Sequence, residues 1–172
     1  MKNLIDWEGV LDIVASLPGH DVTMDPDNFN TSTPGYAEIY KLWVDAGVDP
    51  KVVKWTNYYP NKDFDQSIES SFAEQVGVTP LRSWISRIDP GYSAPYHYDV
   101  DDNEQEYVKV GKLKRFTCFI HPCVLGQIMY LEDKYYYNQP VGTIVEWSAY
   151  NSWHGAMNAG KESYYLFHLL GY

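Results

Sequence analysis

The sequence predicts a mainly β fold, a barrel or sandwich of short strands, with helices confined to its first third. Three observations carry this. From residue 81 onward, short β-branched and aromatic runs alternate with turn signals. Helical spacing of apolar residues is found only before residue 80. Aromatic residues make up 16% of the chain and include 16 Tyr, a residue that suits pleated surfaces and pocket walls.

Each element can be justified in order. Leu4, Val10, Leu11, Val14 and Leu17 keep helical spacing up to Pro18-Gly19. Residues 21–34 are rich in Asp, Asn, Thr and Pro and read as loop. Thr33 can cap a second helix and Pro34 suits its first turn; Tyr36, Ile39, Tyr40, Trp43 and Val44 form its stripe and Gly47 ends it. Strands are expected over 81–89, 112–121, 126–131, 135–138, 142–147 and 163–170. An α/β layer fold would need helices between these strands, and the pattern shows none. The length of 172 residues suits one domain: a helical and loop-rich part over 1–80, packed on a β core over 81–172.

Composition excludes several function classes. The net charge of −10 disfavours nucleic acid and anionic membrane surfaces as partners. No apolar run is long enough for a membrane helix, and the acidic start, with Asp6 and Glu8, does not resemble a secretion signal. The expected location is cytoplasmic, a reducing compartment in which Cys118 and Cys123 serve as buried small hydrophobes. The sequence does not fix an oligomeric state.

The chemistry centres on Tyr96-His97-Tyr98-Asp99. Two residues apart on a strand, His97 and Asp99 point to one face, so an imidazole and a carboxylate can share a metal. His154, after the strand at 142–147 and a turn-like segment, is the natural third ligand. Two His and one carboxylate on one face of an octahedron leave three positions open, the facial triad of non-haem Fe(II) oxygenases. The ordinary alternative is a surface His–Asp hydrogen bond with His154 as a turn or core residue. His20 reads as exposed, His121 as a strand-end residue, and His168 as a satisfied core histidine, with a pocket-lining residue as the alternative. Trp84, Tyr96, Tyr98 and Trp153 either wall a pocket or pack in a core. The acidic run 101–104 reads as a solvated loop near the metal.

The segment Ser86-Arg87-Ile88-Asp89-Pro90-Gly91-Tyr92-Ser93-Ala94-Pro95-Tyr96-His97 resembles the approach to the proximal metal histidine in aspartyl/asparaginyl β-hydroxylases, members of the Fe(II)/2-oxoglutarate-dependent oxygenases. The stretch from Gly142 to Trp147, continuing through His154-Gly155-Ala156-Met157-Asn158, is similar to that family's distal-histidine segment. The resemblance covers roughly residues 81–172. It implies a cupin-like double-stranded β-helix, or jelly roll, with helices outside. It implies an Fe(II) enzyme with 2-oxoglutarate as small-molecule co-substrate. The co-substrate is converted to succinate and carbon dioxide while dioxygen is used to hydroxylate an unactivated C–H bond. The substrate would be a protein side chain such as Asp or Asn, or a small molecule. Several members of that family lack the triad carboxylate, which this chain keeps as Asp99, so the Asp/Asn substrate does not transfer directly.

The resemblance also implies a site for the distal carboxylate of 2-oxoglutarate. Ser86 matches the family's serine there. The family's arginine belongs on the strand over 163–170, which holds no Arg or Lys. Candidate cations are Arg115, on one strand face with Thr117, its neighbour Lys114, and Arg82, on one face with Trp84 and Ser86; Arg115 is preferred. Two rival readings stay open. One is a non-catalytic metal- or ligand-binding β-helix protein that has lost 2-oxoglutarate turnover. The other is a β-helix enzyme using its metal as a Lewis acid. Tyr58-Tyr59-Pro60 is a candidate for shaping substrate entry.

Overall fold

A computed structural model of the chain describes residues 5–25, 29, 34–59, 66–99, 105–148 and 152–172. Among these, two antiparallel sheets face each other. The larger runs β1 (His20–Thr23), β2 (Lys54–Tyr58), β3 (Pro80–Ile88), β10 (Tyr164–Gly171), β5 (Lys114–Phe119) and β8 (Ile144–Ser148). The smaller runs β4 (Ser93–His97), β9 (His154–Asn158), β6 (Gln127–Leu131) and β7 (Lys134–Tyr136). From β3 onward, successive strands wind back and forth between the two sheets, which is a double-stranded β-helix. The fold is mainly β, as the sequence predicts.

Period-2 alternation explains how one chain builds a lined interior and an outer core. On β3, Arg82, Trp84, Ser86 and Ile88 face inward, whereas Ser83, Ile85 and Arg87 face outward. Cross-strand register carries the same division onto β10 and β5, because Trp84 pairs with His168 and His168 with Thr117. Outside the larger sheet, α1 (Trp7–Val14) and α3 (Gln66–Val76) cover Ile85, Phe116 and Phe167 with Val10, Val14 and Phe72. Each such fully buried side chain stabilises the fold by about 1.5–3 kcal/mol. The inner core of Ile88, Phe119, Met129, Val145, Trp147 and Leu166 fills one end between the sheets.

Helix α2 (Pro34–Asp45) packs Ile39 and Trp43 onto Met24, Phe29 and Val53. The Trp43 indole N–H donates to the Tyr96 carbonyl at 2.8 Å, tying this helix to β4. Val44, expected in the apolar stripe, is 52% exposed, because a 100° step from Trp43 turns it away from the sheet. The expected Thr33 cap, Pro60 and the acidic run 101–104 lie outside the described residues.

Several elements differ from expectation, and β2 and α3 fall where none was expected. Strand β1 lies inside the segment read as loop; its pairing with β2 and the contacts of Asp21 with Lys54 (2.7 Å) and Thr56 (2.7 Å) supply what its own composition lacks. Strand β4 ends at His97, so Asp99 stands just beyond the strand rather than on it. The one-turn helix α4 (Gln105–Lys109) falls where no helix was expected, and Gly111 at φ +66° closes it. Both cysteines are free and buried, and burial pushes the Cys118 thiol up to about 12. No helix among the described residues is long and apolar enough to cross a membrane.

Candidate metal centre

Strands β4 and β9 pair so that His97 lies opposite His154. Their rings come within 4.4 Å, centroid to centroid. One ligand atom from each of His97, Asp99 and His154 falls within 4.8 Å of the others. His97 Nε2 is 4.0 Å from Asp99 Oδ1, and His154 Nε2 is 3.5 Å from Asp99 Oδ2. The three residues singled out from spacing are therefore brought together.

Each imidazole is oriented by its own strand. His97 Nδ1 lies 2.5 Å from the Pro95 carbonyl oxygen, and His154 Nδ1 lies 2.9 Å from that of Ser152. A carbonyl only accepts, so both Nδ1 atoms carry the proton and both Nε2 lone pairs turn to the shared space. Metal-binding histidines are held this way, through the ring nitrogen that does not touch the metal. Trp55 stacks on His97 at 5.7 Å, and Trp147 packs on His154 at 4.4 Å. Burial pulls the His97 pKa down to about 4 and that of His154 well below the usual imidazole value, so both rings are neutral at pH 7. Two neutral imidazoles and a carboxylate, all pointing inward, fit a divalent cation.

Arg115 is fully buried and its guanidinium makes an ion pair with Asp99 Oδ2. It lies over the rings of Trp84 (5.2 Å) and Trp147 (4.8 Å). Burial lowers its pKa to about 9, which leaves it charged at pH 7. The residue preferred from sequence as the 2-oxoglutarate cation is thus engaged with the Asp99 carboxylate. Thr117 shares its strand face as expected, but its hydroxyl lies between Trp147 Nε1 (3.2 Å) and His168 Nδ1 (3.1 Å). Lys114 points outward to Glu146 at 3.0 Å.

A cavity of about 280 Å³ opens beside the triad. Its polar wall is Asn57, Arg82, Ser86 and His168; its apolar wall includes Phe29, Tyr36, Trp55 and Met129. The Ser86 hydroxyl lies 2.8 Å from the Asn57 amide oxygen. The Arg82 guanidinium lies over Trp84 at 5.2 Å, and both Arg82 and Trp84 line the cavity. Among the sequence candidates, then, Ser86 and Arg82 reach the cavity. Asn57 and Trp55 went unassigned, and His168, read first as a core histidine, lines the cavity; strand pairing sets Asn57 opposite Ser86 and His168 opposite Trp84. Tyr59 lines the cavity as expected for an entry residue. Tyr96 and Tyr98 instead pack on Trp153, at 5.2 and 5.0 Å, away from the cavity lining.

No family model and no curated protein matches the sequence. Solved structures similar to this chain include a prolyl hydroxylase from Trichoplax adhaerens, in complex with a hypoxia inducible factor oxygen degradation domain peptide fragment. It is 12% identical over 99% of this chain and 94% of that one, with a TM-score of 0.49. A prolyl-4-hydroxylase from Pseudomonas putida is 13% identical over 96% and 98%, with a TM-score of 0.46. A cupin-superfamily sugar phosphate isomerase from Silicibacter pomeroyi is 9% identical over 92% and 73%, with a TM-score of 0.45. At such identities and scores, none of these likenesses bears on the chemistry of this chain.

Proposed function

We propose that this chain is a non-haem Fe(II)- and 2-oxoglutarate-dependent dioxygenase that hydroxylates a C–H bond of a small molecule or a protein side chain. The observation that carries it is the convergence of two neutral, carbonyl-oriented imidazoles and one carboxylate on a cavity with a polar wall. His97, Asp99 and His154 are the residues that hold the iron. When bound, iron and 2-oxoglutarate supply dioxygen activation, with succinate and carbon dioxide as the co-substrate's products.

The remaining roles belong to the chain's own side chains. Arg115 holds one oxygen of Asp99 and fixes the direction of the carboxylate. Arg82 and Ser86 take the distal carboxylate of 2-oxoglutarate, since a desolvated anion needs a cation and a hydroxyl. If the Asn57 amide turns over, its NH₂ donates to Ser86 and the Ser86 proton becomes available to that anion. Phe29, Tyr36 and Trp55 form an apolar wall that excludes water from the bound substrate.

The test is succinate release with Fe(II), 2-oxoglutarate, ascorbate and a mixture of candidate substrates. Substrate-stimulated turnover is expected, abolished by His97→Ala. Arg82→Met is expected to raise the KM for 2-oxoglutarate by about 10-fold or more, at a smaller cost in kcat. Metal binding without any affinity for 2-oxoglutarate overturns the reading. That result would favour a non-catalytic metal- or ligand-binding β-helix. Two features point that way: β10 carries no Arg or Lys, and Arg115 is committed to Asp99.

A further inference from the structure

The wall of the cavity opposite the triad carries an imidazole that the metal-binding set does not use. His168 sits in the middle of β10, is 8% exposed, and lines the cavity. Its ring stacks on Trp84 at 4.9 Å with an interplanar angle of 16°. That stack fixes the plane of the ring. A hydrogen-bond chain from β8 through β5 then fixes its proton.

The chain starts at Trp147, whose indole N–H can only donate. It lies 3.2 Å from Thr117 Oγ1, so that oxygen accepts. Thr117 is fully buried. Among the described residues, the one acceptor its hydroxyl proton can reach is His168 Nδ1, at 3.1 Å. Nδ1 is therefore unprotonated, and the single proton of the neutral ring is on Nε2. Nε2 is the ring's other polar atom; it has no hydrogen-bond partner among the described residues, and the residue lines the cavity.

We propose that His168 is a ligand-binding residue whose Nε2–H donates a hydrogen bond to a carboxylate or carbonyl oxygen of an organic acid bound beside His97 and His154. Thr117 and Trp147 are positioning residues that set its tautomer. A neutral N–H of fixed direction donates to an oxygen and offers nothing to an ammonium group, so it selects for acids and carbonyl compounds over amines. The identity of the acid as a 2-oxo acid rests on the dioxygenase reading; the direction of the donor does not.

Two measurements test this. In protein labelled with ¹⁵N-histidine, a two-bond ¹H–¹⁵N correlation spectrum reports the tautomer directly. His168 is expected to show a pyridine-like Nδ1 and a pyrrole-like Nε2. Thr117→Ser should keep that pattern, and Thr117→Val should lose it. A protonated Nδ1 in the wild-type protein overturns the proposal. The second measurement titrates the Mn(II)-loaded protein with 2-oxoglutarate. His168→Leu is expected to weaken binding about 10-fold. His168→Gln, whose amide N–H stands near the former Nε2, should stay within about 3-fold of wild type. His168→Asn, whose amide mimics Nδ1 instead, should behave like the Leu variant. Mn(II) affinity should be unchanged in all three. Wild-type affinity in His168→Leu overturns the proposal. A wild-type protein that binds Mn(II) but no 2-oxoglutarate overturns the dioxygenase reading, while the tautomer spectrum still decides the donor.

Discussion

The two sheets orient their polar groups in opposite ways. On the smaller sheet, each imidazole of the candidate triad is fixed by a carbonyl two residues upstream, Pro95 for His97 and Ser152 for His154. On the larger sheet, the partners are remote in sequence. Thr117 and His168 are 51 residues apart, Trp147 and Thr117 are 30 apart, and Ser86 and Asn57 are 29 apart. The half of the cavity proposed to hold the metal, the metal half, is thus coded locally, and the half proposed to hold the ligand is coded by strand register. A local device survives small changes elsewhere in the barrel. A register device fails when any of its strands moves.

The largest effect expected from this contrast is on acid stability. Burial holds His97 at about 4, His168 at about 3, and His154 well below its usual value. An unfolded histidine titrates near 6.5, so between about pH 6.5 and 4 the unfolded chain binds more protons than the folded one. Stability of the metal-free protein should therefore fall as pH drops through that window. The slope is about 1.4 kcal/mol per pH unit for each of these histidines. Urea unfolding at a series of pH values measures it. His168→Gln should remove one proton's share of the slope and leave that of His97 and His154. A slope unchanged by the substitution would mean that the major-sheet histidine is not buried neutral.

Arg115 is where the two halves meet, and its removal should cost the next most. Arg115→Met leaves the Asp99 carboxylate facing two imidazoles without its cation, and breaking a buried ion pair in this way costs about 3–5 kcal/mol. A divalent ion supplies positive charge at the same carboxylate. The loss measured by urea unfolding should therefore shrink when Mn(II) is present at saturating concentration. An equal loss with and without Mn(II) would mean that Asp99 does not face the metal.

The same contrast explains what could be read in the sequence. His97 and His154 were legible because a strand-period motif and a segment resembling a known family carry them, and the device that orients each ring is adjacent in the chain. A barrel or sandwich followed from short strands between turn signals, and the jelly roll from the family resemblance. The role of Arg115 was not legible. Its face-sharing with Thr117 is a strand property, but which acid it meets depends on where Asp99 lands after β4 ends. His168 read as a core histidine, with pocket lining as the alternative, because nothing in its own segment reveals the threonine that meets its Nδ1. Strand β1 was hidden for a related reason: its pairing with β2, over thirty residues away, supplies the order its composition does not. Helix α3 was within reach, since Ile68, Phe72, Ala73 and Val76 form a helical stripe.

The smallest of these effects tests whether the local half is as self-contained as its hydrogen bonds suggest. Gly155 follows His154 on β9, and the Tyr130 ring of β6 lies directly on it; a Cβ there would stand 2.5 Å from that ring. Tyr130 is held in place by its pairing opposite Gly155 and by a hydroxyl contact to the Ala94 carbonyl at 3.4 Å, so the ring cannot simply swing away. Gly155→Ala should cost about 1–3 kcal/mol through overpacking. The strain should also reach the neighbouring imidazole and weaken Mn(II) binding several-fold. In a Tyr130→Ala background the added methyl has space, so the cost of Gly155→Ala should largely disappear, and the double-mutant cycle should give a coupling of about 1 kcal/mol or more. Loss of stability without loss of Mn(II) affinity would show that the Ser152 carbonyl alone suffices to hold His154. In that case the metal half is even more local than the contrast between the sheets implies.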